Sequence, residues 1–136
     1  MALVRSGSAL AAGVLVPIGL TILATWVSES LVPCEYLGDT MVRRCPLLPV
    51  LIAWDLVSIV AGGYLLAAAE PPSVATHVAL SGLALGLLFG VAAYVGADDG
   101  GFEWALLLPA FGAVPLSACG ALLRTRNVRR SHHRAA

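Results

Sequence analysis

Four long intervals of this 136-residue chain carry almost no charge, and they decide what it can fold into. Arg5 and Glu29 enclose the run Ser8 to Val27. Leu47 to Ala69 follows Arg44 and is interrupted only by Asp55. Val74 to Val95 lies between Glu70 and Asp98, and Trp104 to Leu123 lies between Glu103 and Arg124. A helix crosses ~30 Å of hydrocarbon with about 20 apolar residues, which is the size of each run.

Composition points the same way. Charged residues make up 12% of the chain, against roughly 25% in an average soluble domain. That is too little polar surface to cover a soluble fold of this size. An ordinary globular enzyme, a disordered tail and a nucleic-acid-binding module are all excluded. The expected fold class is all-α: an integral membrane four-helix antiparallel bundle. It forms a single domain over 1–136, with spans at about 8–27, 47–69, 74–95 and 104–123 and a basic tail at 124–136.

Arg5 resembles the basic start of a signal peptide. The apolar run behind it exceeds the usual 7–15 residues, and Ala24-Thr25-Trp26 lacks a small-x-small cleavage pattern. The first span is therefore expected to stay as a membrane helix.

Orientation follows from arginine placement. With the N-terminus inside, the inner segments hold Arg5, Arg124, Arg126, Arg129, Arg130 and Arg134, and the outer loops hold only Arg43 and Arg44. Both termini are expected to be cytoplasmic, in a multi-pass plasma-membrane protein. All eight basic residues are Arg, a skew that suggests a GC-rich, prokaryotic coding sequence. Trp26 and Trp104 fall at expected outer interfaces, where amphipathic rings are favoured. Pro46 and Pro49 open the second span, where a missing N–H does little harm. Glu70-Pro71-Pro72-Ser73 and Asp98-Asp99-Gly100-Gly101 read as tight turns that should pack neighbouring helices against each other.

Gly82, Gly86 and Gly90 put a small-residue stripe on one face of the third span, and Ala113, Ser117 and Ala121 give the fourth a looser version. Lipid tails are as apolar as Leu, so helices associate through the close approach that small residues allow. The stripe is expected to pack within the bundle; its other use is as a docking face for a partner protein or a second copy.

Asp55 is the most informative single residue. Eight residues past Leu47, it lies ~12 Å below the outer boundary, near the midplane. Insertion there costs about 2.5–3.5 kcal/mol. No basic residue lies at comparable depth, so Asp55 is expected to be a neutral acid, a cation ligand or a docking partner for another subunit. Depth counting offers two partners within the chain. Thr21 lies five residues in from Trp26, and Pro115 frees the backbone carbonyl of Phe111 at nearly the depth of Asp55. Pro17, Pro109 and Pro115 are further expected to kink their helices.

Cys34 and Cys45 bracket the first outer loop and are expected to form a disulfide in an oxidising exterior. Cys119 reads as a small buried apolar residue. His77 reads as an interfacial histidine near Glu70. His132 and His133 belong to the basic tail, which has no metal-site spacing and suits anionic head groups. No phosphate-binding glycine loop, HExxH or GxSxG occurs; no catalytic residue, metal or cofactor is expected, and the lipid bilayer is the partner implied.

Four spans with two cysteines in the first outer loop loosely resemble the claudin-type tetraspan layout. The Gly-Leu-Trp triplet of that family is not present, nor is the Cys-x-x-Cys of the quinone-linked disulfide-forming membrane proteins, so no function is carried over. Two functions are expected to compete. One is a non-enzymatic accessory subunit or scaffold; the other is a small proton- or cation-coupled transporter or channel using Asp55.

Overall fold

The structure, a computed structural model, describes residues 2–32, 35–37, 42–44, 47–69, 73–95 and 107–135. Among them are four helices, α1 (Ala2–Leu31), α2 (Leu48–Ala68), α3 (Val74–Val95) and α4 (Leu107–Ala135). All four are long and apolar enough to cross a membrane. The fold is the all-α, four-helix membrane bundle that the charge gaps imply.

Two boundaries run past the charge gaps. α1 begins at Ala2 and continues to Leu31, and α4 carries on through the basic tail to Ala135. The tail has no Gly or Pro after Gly120 to stop it, and Arg is a good helix former that suits a helix C-terminus. Between α1 and α2 lies a short ladder the sequence analysis does not anticipate. Strand β1 (Glu35–Leu37) pairs antiparallel with β2 (Val42–Arg44), with Glu35 opposite Arg44 and Leu37 opposite Val42.

Local signals set the helix starts. Pro49 sits in the first turn of α2, where its lost donor was an orphan in any case. Ser73 caps α3: its hydroxyl accepts the N–H of Thr76 at 3.4 Å and meets the Thr76 hydroxyl at 2.8 Å, the pattern of an N-cap serine.

Helices in hydrocarbon gain nothing from burying apolar area against each other, so small residues decide which faces meet. α1 turns one narrow stripe inward: Ala9, Gly13, Pro17 and Ser28 are buried, with Thr21 and Ala24 partly so. Steps of three and four hold these residues on one face. α2 buries Asp55, Ser58, Ile59, Gly62, Gly63, Leu66 and Ala67.

The closest approach is between α2 and α4. A Cβ added to Gly63 would strike the Ser117 carbonyl, and one added to Gly120 would strike the Val60 carbonyl. These helices run parallel, since Leu56 neighbours Gly112 while Tyr64 neighbours Gly120. Around the bundle the order is α1, α2, α4, α3, and the α1–α3 seam is the thinnest side. α2 and α3 share little surface, although the shortest connection joins them. The expectation that tight turns pack neighbours together therefore fails for this pair, because the glycines of α2 and α4 bring those two backbones together instead.

Ala9, Leu66, Ala67, Val78 and Ala121 cluster at one end of the bundle. That end holds the start of α1, the end of α2, the start of α3 and the C-terminal half of α4. Both termini thus leave from the same end, as an even number of crossings requires. There Arg124 lies 5.9 Å from the centroid of the Tyr64 ring, a cation–π distance that ties α4 to α2.

Candidate functional site

Asp55 lies on the inward face of α2 and is only 5% exposed. The Thr21 hydroxyl of α1 donates to its Oδ1 at 2.7 Å. One residue earlier, the Trp54 indole Nε1 donates to the Leu20 carbonyl of α1 at 3.1 Å. Two consecutive residues of α2 therefore grip two consecutive residues of α1. The Ser58 hydroxyl donates to the Trp54 carbonyl at 2.8 Å, the back-bonding by which serine satisfies itself inside a helix. Thr25 and Ser28 likewise return to the carbonyls of Thr21 and Thr25, at 3.0 and 2.9 Å.

Two grooves flank this clamp. The larger, of about 350 Å³, opens between α1 and α2 on the side of the loop that joins them. Leu23, Ala24, Val27, Leu51 and Trp54 are among its walls, with Ser28 beside these apolar side chains. The smaller, of about 170 Å³, follows the thin α1–α3 seam and includes Thr21, Leu85 and Phe89. Thr21 thus faces both Asp55 and the seam.

Of the residues singled out from sequence, Asp55 and Thr21 are brought together. Pro115 is placed elsewhere. Both Pro115 and Phe111 point outward from α4, Phe111 being 80% exposed, and Thr21 is the hydrogen-bond partner of Asp55 among the described residues. Residues 113 and 117 are buried on α4, so position 115 lies about 200° around the helix from either.

Gly82 and Gly86 are used inside the chain. A Cβ on Gly82 would sit 2.7 Å from the Val114 Cα, and one on Gly86 would sit 2.8 Å from the Ala110 carbonyl oxygen. Gly90 meets nothing within 4 Å, so it is the open member of the stripe. Ala113, Ser117 and Ala121 are all buried. The Ser117 hydroxyl has no hydrogen-bond partner among the described residues.

Cys119 faces outward rather than inward. Its neighbour Gly120 occupies the face turned to α2, which pushes position 119 to the outside. His77 is partly buried, and its Nδ1 lies 2.6 Å from the Ser73 carbonyl. Glu70, Cys34, Cys45 and Trp104 lie outside the described residues, as do the side chains of His132 and His133. Among the described residues no three His, Cys, Asp or Glu side chains are grouped to hold a metal.

Two features escaped the sequence analysis. Trp54, at mid-span instead of at an interface, fastens α1; its place beside Asp55 was the signal. Gly62, Gly63 and Gly120 make the tightest crossings, and the adjacent pair Gly62-Gly63 inside an apolar run was the visible sign. The chain matches no family model, no curated protein and no solved structure.

Proposed function

We propose that the chain is a non-enzymatic accessory subunit or scaffold of a membrane assembly. The observation that carries this reading is the Thr21–Asp55 hydrogen bond at 2.7 Å. It gives the intramembrane acid a partner within the chain, between helices that the Trp54–Leu20 bond also fastens. Such a clamp serves shape rather than chemistry, and the grooves beside it are lined mostly by apolar side chains.

The setting belongs to the same reading: a plasma membrane, a prokaryotic source and both termini in the cytoplasm. The six-to-two arginine bias supports the orientation. A Cys34–Cys45 disulfide then closes the exterior loop. The β1–β2 ladder supports it, because Glu35 pairs with Arg44 and the cysteines are the next residues outward in sequence on each side. Intact-mass measurement after alkylation without reductant should find only Cys119 modified; three alkylated cysteines would refute the bridge.

A second reading has one observation in its favour. Thr21 lines the α1–α3 seam while bonding Asp55, which suits a proton- or cation-coupled transporter or channel. Flux through proteoliposomes separates the two. The accessory-subunit reading predicts no proton or cation flux above that of empty vesicles. A wild-type flux abolished by Asp55→Asn would establish transport instead.

A further inference from the structure

We infer that the outward face of α4 binds one anionic phospholipid, its headgroup on Arg126 and Arg130 and an acyl chain along Phe111, Pro115, Cys119 and Leu122. These six residues follow one another in steps of three or four. Such steps confine them to about 100° of the helix circumference. All six are exposed, while Ala113, Ser117, Gly120 and Ala121 on the other side are buried in the bundle. The basic stripe of the C-terminal extension therefore continues the lipid-facing stripe of the span without a turn between them. A lipid tail lying against Cys119 and Leu122 carries its headgroup to the level of the arginines.

Charge decides which lipid. Arg126, Arg130 and Arg134 recur every fourth residue, the spacing at which like charges on a helix repel. No acidic residue follows Glu103 in the chain, so α4 has none to offset them. The described acids, Glu29, Glu35 and Asp55, lie at mid-span or toward the opposite end, and no ion pair joins Arg126 or Arg130 to a described residue. Arg124 differs, because it lies over the Tyr64 ring and belongs to the bundle. An anion held between two guanidinium groups turns their repulsion into attraction, and phosphate oxygens match the guanidinium fork.

Height agrees with a lipid phosphate. Arg126 and Arg130 are three and seven residues past Leu123, where the apolar run ends, or ~4.5 and ~10 Å along the axis. The headgroup layer is about 5–8 Å thick on each side of the hydrocarbon. Helical side chains lean toward the N-terminus of their helix, which here is the direction of the membrane, so both long arginines reach back into that layer. A free phosphate gains the arginines but not the apolar stripe. A zwitterionic phospholipid gains both but brings its own cation beside the phosphate. An anionic phospholipid satisfies the whole face, and the site serves a subunit or a transporter equally.

Native mass spectrometry of the delipidated full chain in detergent, titrated with phosphatidylglycerol or phosphatidylcholine, tests this site. Phosphatidylglycerol is expected to bind roughly tenfold or more tightly than phosphatidylcholine, at about one molecule per chain, from the attraction of two arginines. The double variant Arg126→Gln/Arg130→Gln should reduce that preference to about threefold or less. Arg5→Gln, at the same end of the bundle on α1, should keep it. Glycerol 3-phosphate should not displace the lipid, because it lacks the tail. Equal affinity of the wild-type chain for the two lipids would overturn the inference, and that comparison needs no variant to fold. So would an unchanged preference in the double variant. Displacement by glycerol 3-phosphate would make the site one for free phosphate, and displacement by a helical polyglutamate peptide would make it a protein-docking face; either result overturns a lipid site.

Discussion

Gly63 and Gly90 are the same residue type in helices consecutive in sequence, yet their surroundings assign them opposite energetic roles. The missing Cβ of Gly63 is the space taken by the Ser117 backbone, and that of Gly120 is taken by Val60. Gly63→Ala and Gly120→Ala should each destabilise the bundle by about 1–3 kcal/mol, the usual cost of overpacking. Gly90→Ala fills open space and should leave stability within about 0.5 kcal/mol of wild type. Reversible unfolding in mixed micelles measures all three. Asp55 and Thr21 make the other residue-scale prediction. A double-mutant cycle with Thr21→Val and Asp55→Leu should return a coupling of roughly 0.6–1.7 kcal/mol, the range of interhelical hydrogen bonds in membranes. Zero coupling would mean the 2.7 Å contact adds nothing. This pair was legible because counting inward from each interface fixes depth. Depth says nothing about direction around the helix, which is why Pro115, at the right height, was grouped with them. The burial of positions 113 and 117 turns it away.

Among the elements, hydrophobic runs located all four helices because an unpaired backbone is too costly in hydrocarbon for any other local structure. They could not show how the helices associate. Every face of these spans is apolar, so no amphipathic stripe marks the inward side, and only small residues do. On α1 that stripe is Ala9, Gly13, Pro17, Thr21, Ala24 and Ser28, and Pro17 packs where a Cβ on Gly62 would stand. Pro17 also forfeits the helix bond to the Gly13 carbonyl, and that carbonyl is the group facing Gly62 at 3.0 Å from the ideal Cβ position. Pro17 and Pro115 should therefore respond differently to the same change. Pro115→Ala, on the outward face of α4, should leave thermal stability unchanged or slightly higher. Pro17→Ala should lower it, because a fully buried ring is lost from the α1–α2 crossing. An equal response would contradict the packing described for α1. The β1–β2 ladder was illegible for a different reason: its strands are three residues each, too short for an alternating pattern to register.

At the level of the whole molecule, an even count of spans already implied that both termini share one end, and the cluster of Ala9, Leu66, Val78 and Ala121 places the helix ends accordingly. The order α1, α2, α4, α3 was not implied, because it depends on where glycines let backbones touch. The outcome is a chain that spends its glycine crossings and its one intramembrane acid on holding itself together, with α1 attached mainly through α2 and thinly through α3. The accessory subunit proposed for this chain is one that presents a preformed shape to its partner. Native mass of the protein, extracted gently from its own membrane, tests that claim most directly. The account predicts one copy of this chain, or a fixed small number, in stoichiometric complex with a second membrane protein, and the same complex for Asp55→Asn. Recovery of the chain alone, as a monomer or a homo-oligomer, would contradict it.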